Sequence, residues 1–211
     1  MKIILASKSP RRKQLMESVG FQFEVVSSDI DETIFLERDV TEEVKRLAHE
    51  KAKAVQVNYL KSKSEKFEIK DEIAEENKTN RNLNSNEETI IVAADTIVVV
   101  ENEILGKPSN DEEARRMLKK LSGTTHRVLT GVSVMTENEE KNWCEISFVT
   151  FKVLTDEEIN EYVETGSPMD KAGSYGIQEK GDKFVTRIEG DFDSIVGMPI
   201  GKVKETIDNL Q

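Results

Sequence analysis

Residues 89–100, Thr-Ile-Ile-Val-Ala-Ala-Asp-Thr-Ile-Val-Val-Val, constrain this chain more than any other stretch. A strand that is apolar at successive positions buries both of its faces, so it belongs inside a sheet covered by layers on either side. Only Asp95 and Thr96 interrupt the run. A carboxylate in such a place is costly to desolvate unless a cation or hydrogen-bond donors compensate it. Either Asp95 sits in a structural salt bridge or at a point where the sheet opens, or it faces a cleft. In a cleft it can ligate a metal or take a proton from water.

The flanking sequence supplies the layers. Lys2 to Ala6 suits a buried strand, Ser9-Pro10 caps and opens a helix to about Val19, and Phe21 to Val26 suits a second strand leading into the acidic loop 27–32. Thr41-Glu42-Glu43 starts a helix of about four turns with the apolar stripe Val44, Leu47, Ala48, Ala52 and Val55. Asn110 opens another, carrying Ala114, Met117, Leu118 and Leu121. Strands are expected from about His126 to Met135 and from Cys144 to Val153, and Thr155 with Glu158 forms a capping box for a helix reaching Thr165. Loops and short strands follow from Asp170 to Gly201, then a final amphipathic helix. Alternating strands and helices make the class α/β, and the meander after Thr125 makes the sheet mixed, flanked by helices. The whole chain, 1–211, reads as one catalytic unit. The Lys-, Glu-, Asn- and Ser-rich stretch at 61–88 reads as a solvated insertion or disordered loop.

Bulk charge narrows the partners. With 41 acidic against 30 basic residues the net charge is -11, which disfavours an extended basic surface for nucleic acid or an anionic membrane. A polyanion remains accessible if a few cations gather in one cleft with a metal ion. Cys144 is the single cysteine, there is no Cys/His cluster of zinc spacing, and no apolar run suits a signal peptide or a membrane span. A cytoplasmic protein is expected. His49 and His126 are too scattered to argue for histidine chemistry.

Where those cations could gather is partly visible. Ala6-Ser7-Lys8-Ser9-Pro10-Arg11-Arg12 reads as strand, turn and helix start, which aims free backbone N–H groups at one point and adds two forked donors suited to phosphate. The plain alternative is an exposed turn whose arginines only solvate. Lys51 falls on the apolar face of its helix, where pattern alone asks for an apolar residue and a long lysine can snorkel to solvent. Lys107, between Gly106 and Pro108, and Glu32, in the acidic loop, are ambiguous alone. Together with Asp95 they make the set that metal-assisted phosphoryl transfer requires. The run Asp170-Lys171-Ala172-Gly173-Ser174-Tyr175-Gly176-Ile177-Gln178 is either a turn-rich connector or part of the site.

Taken in order, these blocks resemble the Maf family of house-cleaning nucleotide pyrophosphatases: Ala6-Ser7 with Ser9-Pro10-Arg11-Arg12, Leu47-Ala48 with Lys51-Ala52, Ala94-Asp95-Thr96, Gly106-Lys107-Pro108, Leu121-Ser122-Gly123 with His126, the 170–178 run, and Val196-Gly197 with Pro199. The resemblance covers nearly the whole chain except the insertion, which is longer than is usual there. It implies an elongated, bilobed architecture with a cleft between the lobes. The implied activity is hydrolysis between the α- and β-phosphates of a nucleoside triphosphate with a divalent cation, magnesium or manganese. In that reading Asp95 is the general base and a metal ligand, Glu32 holds metal, and Arg11, Arg12, Lys51 and Lys107 bind the triphosphate. Ser7 and Ser9 line the same loop. The 170–178 run is similar to the branch acting on dTTP and UTP, where Arg12, Thr96 and Gln178 bear on base preference. A homodimer is implied as well. Nucleotidyl transfer to another acceptor, or nucleotide binding without turnover by a cell-division regulator, are the competing readings.

Overall fold

The computed structural model describes the chain apart from residues 29, 36–38, 77–87, 179 and 211, and describes the backbone alone at 62–76 and 180. Among the described residues seven strands form one sheet: β1 (Lys2–Leu5), β2 (Phe23–Val25), β3 (Thr89–Val100), β4 (Glu103–Leu105), β5 (Thr125–Met135), β6 (Glu140–Phe151) and β7 (Val185–Glu189). Their order is β2-β1-β3-β5-β6-β7, with β4 beside β3. β1 runs parallel to β2 and β3, and the remaining pairings are antiparallel, so the sheet is mixed as the meander required. The helices are α1 (Pro10–Ser18), α2 (Val40–Glu76), α3 (Asp111–Leu121), α4 (Asp156–Glu164), α5 (Phe192–Val196) and α6 (Ile200–Asp208).

Both faces of β3 are covered, and the period of two along the strand sorts its side chains. Ile90, Val92, Ala94, Val98 and Val100 join the main core with residues of α1, α3, α4 and α6. Ile91, Ala93, Ile97 and Val99 pack in two smaller clusters on the other face, with Val44, Ala52 and Val55 of α2. By the same alternation Asp95 points to the α2 face and Thr96 to the α1 face.

The edges of β3 differ. On one side β5 pairs with it continuously from Ile91 to Val99. On the other, β1 pairs only up to Val92 and β4 only from Val98. Between them the sheet forks, and Asp95 and Thr96 lie at the fork.

Local chemistry explains most boundaries. Ser9 caps α1, Asn110 caps α3, and Thr155 with Glu158 makes the expected capping box at α4. Asp39, one residue ahead of α2, accepts from the amides of Thr41 at 2.8 Å and Glu42 at 3.2 Å. Two expectations need correction. α2 does not stop near Val55 but continues to Glu76, so the first part of the polar 61–88 stretch is helix rather than loop. Lys and Glu are good helix formers, so propensity favours continuing the helix through this stretch; residues 77–87 lie outside the described residues. The hairpin strand β4 was not expected, because its two-residue turn is Glu101-Asn102 with both φ angles positive (49° and 66°), a type I′ geometry usually signalled by Asn-Gly.

Candidate active site

The fork opens into a cavity of about 900 Å³, within the range of small-molecule sites. Its lining includes every residue singled out above for chemistry: Ser7, Ser9, Arg11 and Arg12 from the β1–α1 turn, Glu32, Lys51, Asp95 and Thr96, Lys107, and Gln178.

On the α2 face, Lys51 is 6% exposed and does not snorkel. Its Nζ donates to Asp95 Oδ1 at 2.5 Å and pairs with Glu32 Oε1 at 2.9 Å. Burial pushes the Glu32 carboxyl up, but the Lys51 hydrogen bond and the charges of Lys51, Lys107 and Arg12 outweigh it and hold the group below its ordinary range. The loop bearing Glu32 is itself clamped to α2. Glu43, fully buried, accepts from the Phe35 amide at 3.2 Å and from Arg46 Nη2 at 2.8 Å, while the same Nη2 reaches the Thr33 carbonyl at 2.9 Å. Glu32 and Lys51 are thus fastened to one helix.

On the α1 face, the Arg12 guanidinium is spread over three acceptors: Nε to the Gly197 carbonyl at 2.9 Å, Nη1 to Ser7 Oγ at 3.2 Å and Nη2 to Thr96 Oγ1 at 3.2 Å. Arginine has five donors, so two remain for an anion. Desolvation lowers the Arg12 pKa, with opposing help from Asp95 and Glu32. Ser9 uses its hydroxyl to cap α1 through the Arg12 amide at 3.5 Å, and its own amide donates to Ser7 Oγ. Asp95 and Arg12 therefore approach one hollow from opposite faces of the sheet, which only a gap in the strand pairing permits.

The 170–178 run closes the third side. Arg11 Nη1 pairs with Asp170 Oδ2 at 2.9 Å, and the buried Lys171 reaches Asp170 Oδ1 at 2.7 Å. The run docks on the Gly106-Lys107-Pro108 segment that follows β4, through the Gly173 amide and the Gly106 carbonyl at 3.0 Å, with Gly173 at φ 68° and so close to Val98 that a Cβ would sit 3.0 Å from its side chain. This fixes the turn that carries Lys107. Tyr175 is anchored by His126 Nε2 at 2.8 Å, and Gln178 is exposed at the cavity edge. His126 is accordingly structural.

Several contributors escaped sequence reasoning. Asp170 was visible only as part of a run, and Glu43 looked like an ordinary helix-start acid. Thr130 interrupts the apolar β5 as Asp95 interrupts β3, a signal that could have found it.

The family model for Maf-like proteins matches residues 2–210. The chain belongs to the Maf-like family. Among its Maf-like relatives, the dTTP/UTP pyrophosphatase of Bacillus pumilus (strain SAFR-032) is 41% identical over 208 residues, covering 99% of this chain and 96% of that protein. The dTTP/UTP pyrophosphatase of Bacillus cereus (strain AH820) is 44% identical over 202 residues, covering 96% of this chain and 92% of that protein. Among the described residues no helix is long and apolar enough to cross a membrane.

Proposed function

We propose that this Maf-like protein hydrolyses dTTP and UTP to the nucleoside monophosphate and pyrophosphate. The observation that carries the reading is the convergence of Glu32 and Asp95 on the Lys51 ammonium, in a cavity also lined by Arg11, Arg12 and Lys107. The names of the Bacillus relatives support the choice of nucleotide.

Asp95 takes a proton from a water molecule, and the water oxygen attacks the α-phosphorus in line with the bridge to the β-phosphate. That bridging P–O bond breaks, pyrophosphate leaves toward the lysine and arginine groups, and the proton on Asp95 is returned to solvent. Lys51 offsets the negative charge of Asp95, so the carboxylate can face a polyanion. Arg12 presents its two uncommitted donors from a rigid mount, which favours charge developing in the transition state over ground-state binding. Gln178 offers a donor and an acceptor to a uracil or thymine edge, with Arg12 and Thr96 shaping the same wall.

A divalent cation, magnesium or manganese, fits the donor set. Among the described residues no three acidic, histidine or cysteine side chains make a closed cage, and magnesium is ordinarily held by one or two carboxylates together with substrate phosphates. Glu32 and Asp95 would hold it, and when bound it supplies charge neutralisation for the triphosphate. The same reading makes the protein a cytoplasmic homodimer acting on free nucleotides rather than on nucleic acid or membranes.

The test is pyrophosphate release from a nucleotide panel, with and without magnesium or manganese. Monophosphate and pyrophosphate from dTTP and UTP, without any added acceptor, is the expected outcome. Tight binding with no product overturns hydrolysis, and product only with an acceptor points to nucleotidyl transfer.

A further inference from the structure

Behind Thr96 lies a polar chain inside the sheet. Thr96 and Thr130 are directly opposite each other in the β3–β5 pairing, and their hydroxyl oxygens are 2.9 Å apart. Thr130 is fully buried, and its Oγ1 also lies 2.7 Å from the Ser194 carbonyl.

The directions of these bonds follow by elimination. A carbonyl only accepts, so the Thr130 proton is committed to Ser194. Thr130 can then only accept across the contact with Thr96, so the Thr96 proton is committed to Thr130. What Thr96 has left to offer is lone pairs, and Arg12 Nη2 stands 3.2 Å from that oxygen. The far end of the chain is fixed as well. The buried Ser194 bonds through Oγ to Ser147 at 2.9 Å and to the Asp191 carbonyl at 2.7 Å.

We propose that Thr130 is a positioning residue for the reaction: it holds the Thr96 hydroxyl in the one orientation that makes its oxygen an acceptor for Arg12. Without the Thr130 hydroxyl, the Thr96 proton still has the Gly197 carbonyl at 3.5 Å, which also accepts from Arg12 Nε at 2.9 Å. Turning toward it swings the Thr96 lone pairs away from Nη2. The guanidinium then loses one of three fixed supports. The proposal rests on the reading that Arg12 binds the substrate.

A double-mutant cycle separates this role from a general packing effect. Thr130→Val keeps the shape and removes the hydroxyl; it is expected to lower kcat/KM for dTTP and UTP by about tenfold, while Thr130→Ser stays near wild type. In a Thr96→Val background Thr130→Val is expected to cost less than about twofold, because the group it acts through is gone. The proposal is overturned by an equal cost in both backgrounds, by a Ser variant as impaired as the Val variant, or by a Val variant with unchanged kcat/KM. All are compared well below their melting temperatures. Should Thr130→Val not accumulate as folded protein, Thr130→Ala is read in the same cycle. If the wild-type chain releases no pyrophosphate, the reading of its reaction fails separately, and the cycle is then read in the Kd for dTTP.

Discussion

Lys51 Nζ lies 2.5 Å from Asp95 Oδ1, joining a helix and a strand across 44 positions of sequence at a point where both side chains are nearly buried. One ammonium serves two carboxylates there, since Glu32 is 2.9 Å away on its other side. The cluster stays compact without a counter-charge of its own for each acid, which leaves it open to a cation or a phosphate.

Asp95→Asn keeps the shape and the acceptor for Lys51 but takes no proton. Turnover should fall by about 10²–10⁴, the usual contribution of a positioned general base. The melting temperature should shift only slightly. Pyrophosphate release by the purified variant measures the first and thermal unfolding the second; wild-type turnover in the folded variant would remove the base assignment.

Arg12→Lys and Arg11→Lys should differ. A lysine cannot serve the Gly197 carbonyl, Ser7 and Thr96 at once, whereas Arg11 has a partly exposed ion pair with Asp170 that a lysine can rebuild. Arg12→Lys is expected to lower kcat/KM at least about tenfold, and Arg11→Lys by only about two- to threefold. Steady-state kinetics on both decides, and equal losses would contradict the rigid mount inferred for Arg12.

Gly131 is the strand partner of Asp95, and a Cβ there would sit 2.2 Å from the Val44 carbonyl of α2. Backbone must move to admit it. Gly131→Ala should destabilise the fold by about 3 kcal/mol or more and lift α2 from the sheet, carrying Lys51 away from Asp95. Denaturant unfolding reads the stability, and activity under fully folded conditions reads the displacement. A variant of wild-type stability would show that α2 can retreat freely.

His126 makes stability depend on pH. Burial holds its imidazole down from 6.5 to about 4. Between those values the unfolded chain binds a proton that the folded chain refuses, so stability is full above pH 6.5 and falls as the pH drops toward about 4. A shift of this size corresponds to roughly 3 kcal/mol. His126→Gln should lose less stability than wild type over that window in urea titrations at several pH values; parallel curves would assign the acid sensitivity elsewhere.

Much of this architecture was legible in the order of residues. The caps at Ser9, Asn110 and Thr155 bond only to neighbours in sequence, so their types announce the helix starts. The stripe on α2 and the double-faced run of β3 follow from periodicity, and both flagged their exceptions, Lys51 and Asp95, as charges in apolar surroundings. The turn at Glu101-Asn102 and the length of α2 were not legible. The first puts Glu101, which seldom adopts positive φ, where Asn or Asp is the usual signal, and the second depends on helix propensity in a segment with no apolar face to reveal it.

From sequence alone came most of the elements, the sheet class and the residue types able to handle a triphosphate, because propensity, capping and amphipathic period act over a few residues. Tertiary structure alone decided that β1 and β4 share one edge of β3 and leave a gap between them. That gap lets Asp95 and Thr96, which the pleat sends to opposite faces, open on a common hollow with Lys51 from one side and Arg12 from the other. The pairing that creates it joins strands far apart in the chain, and no local pattern encodes where a neighbouring strand will stop.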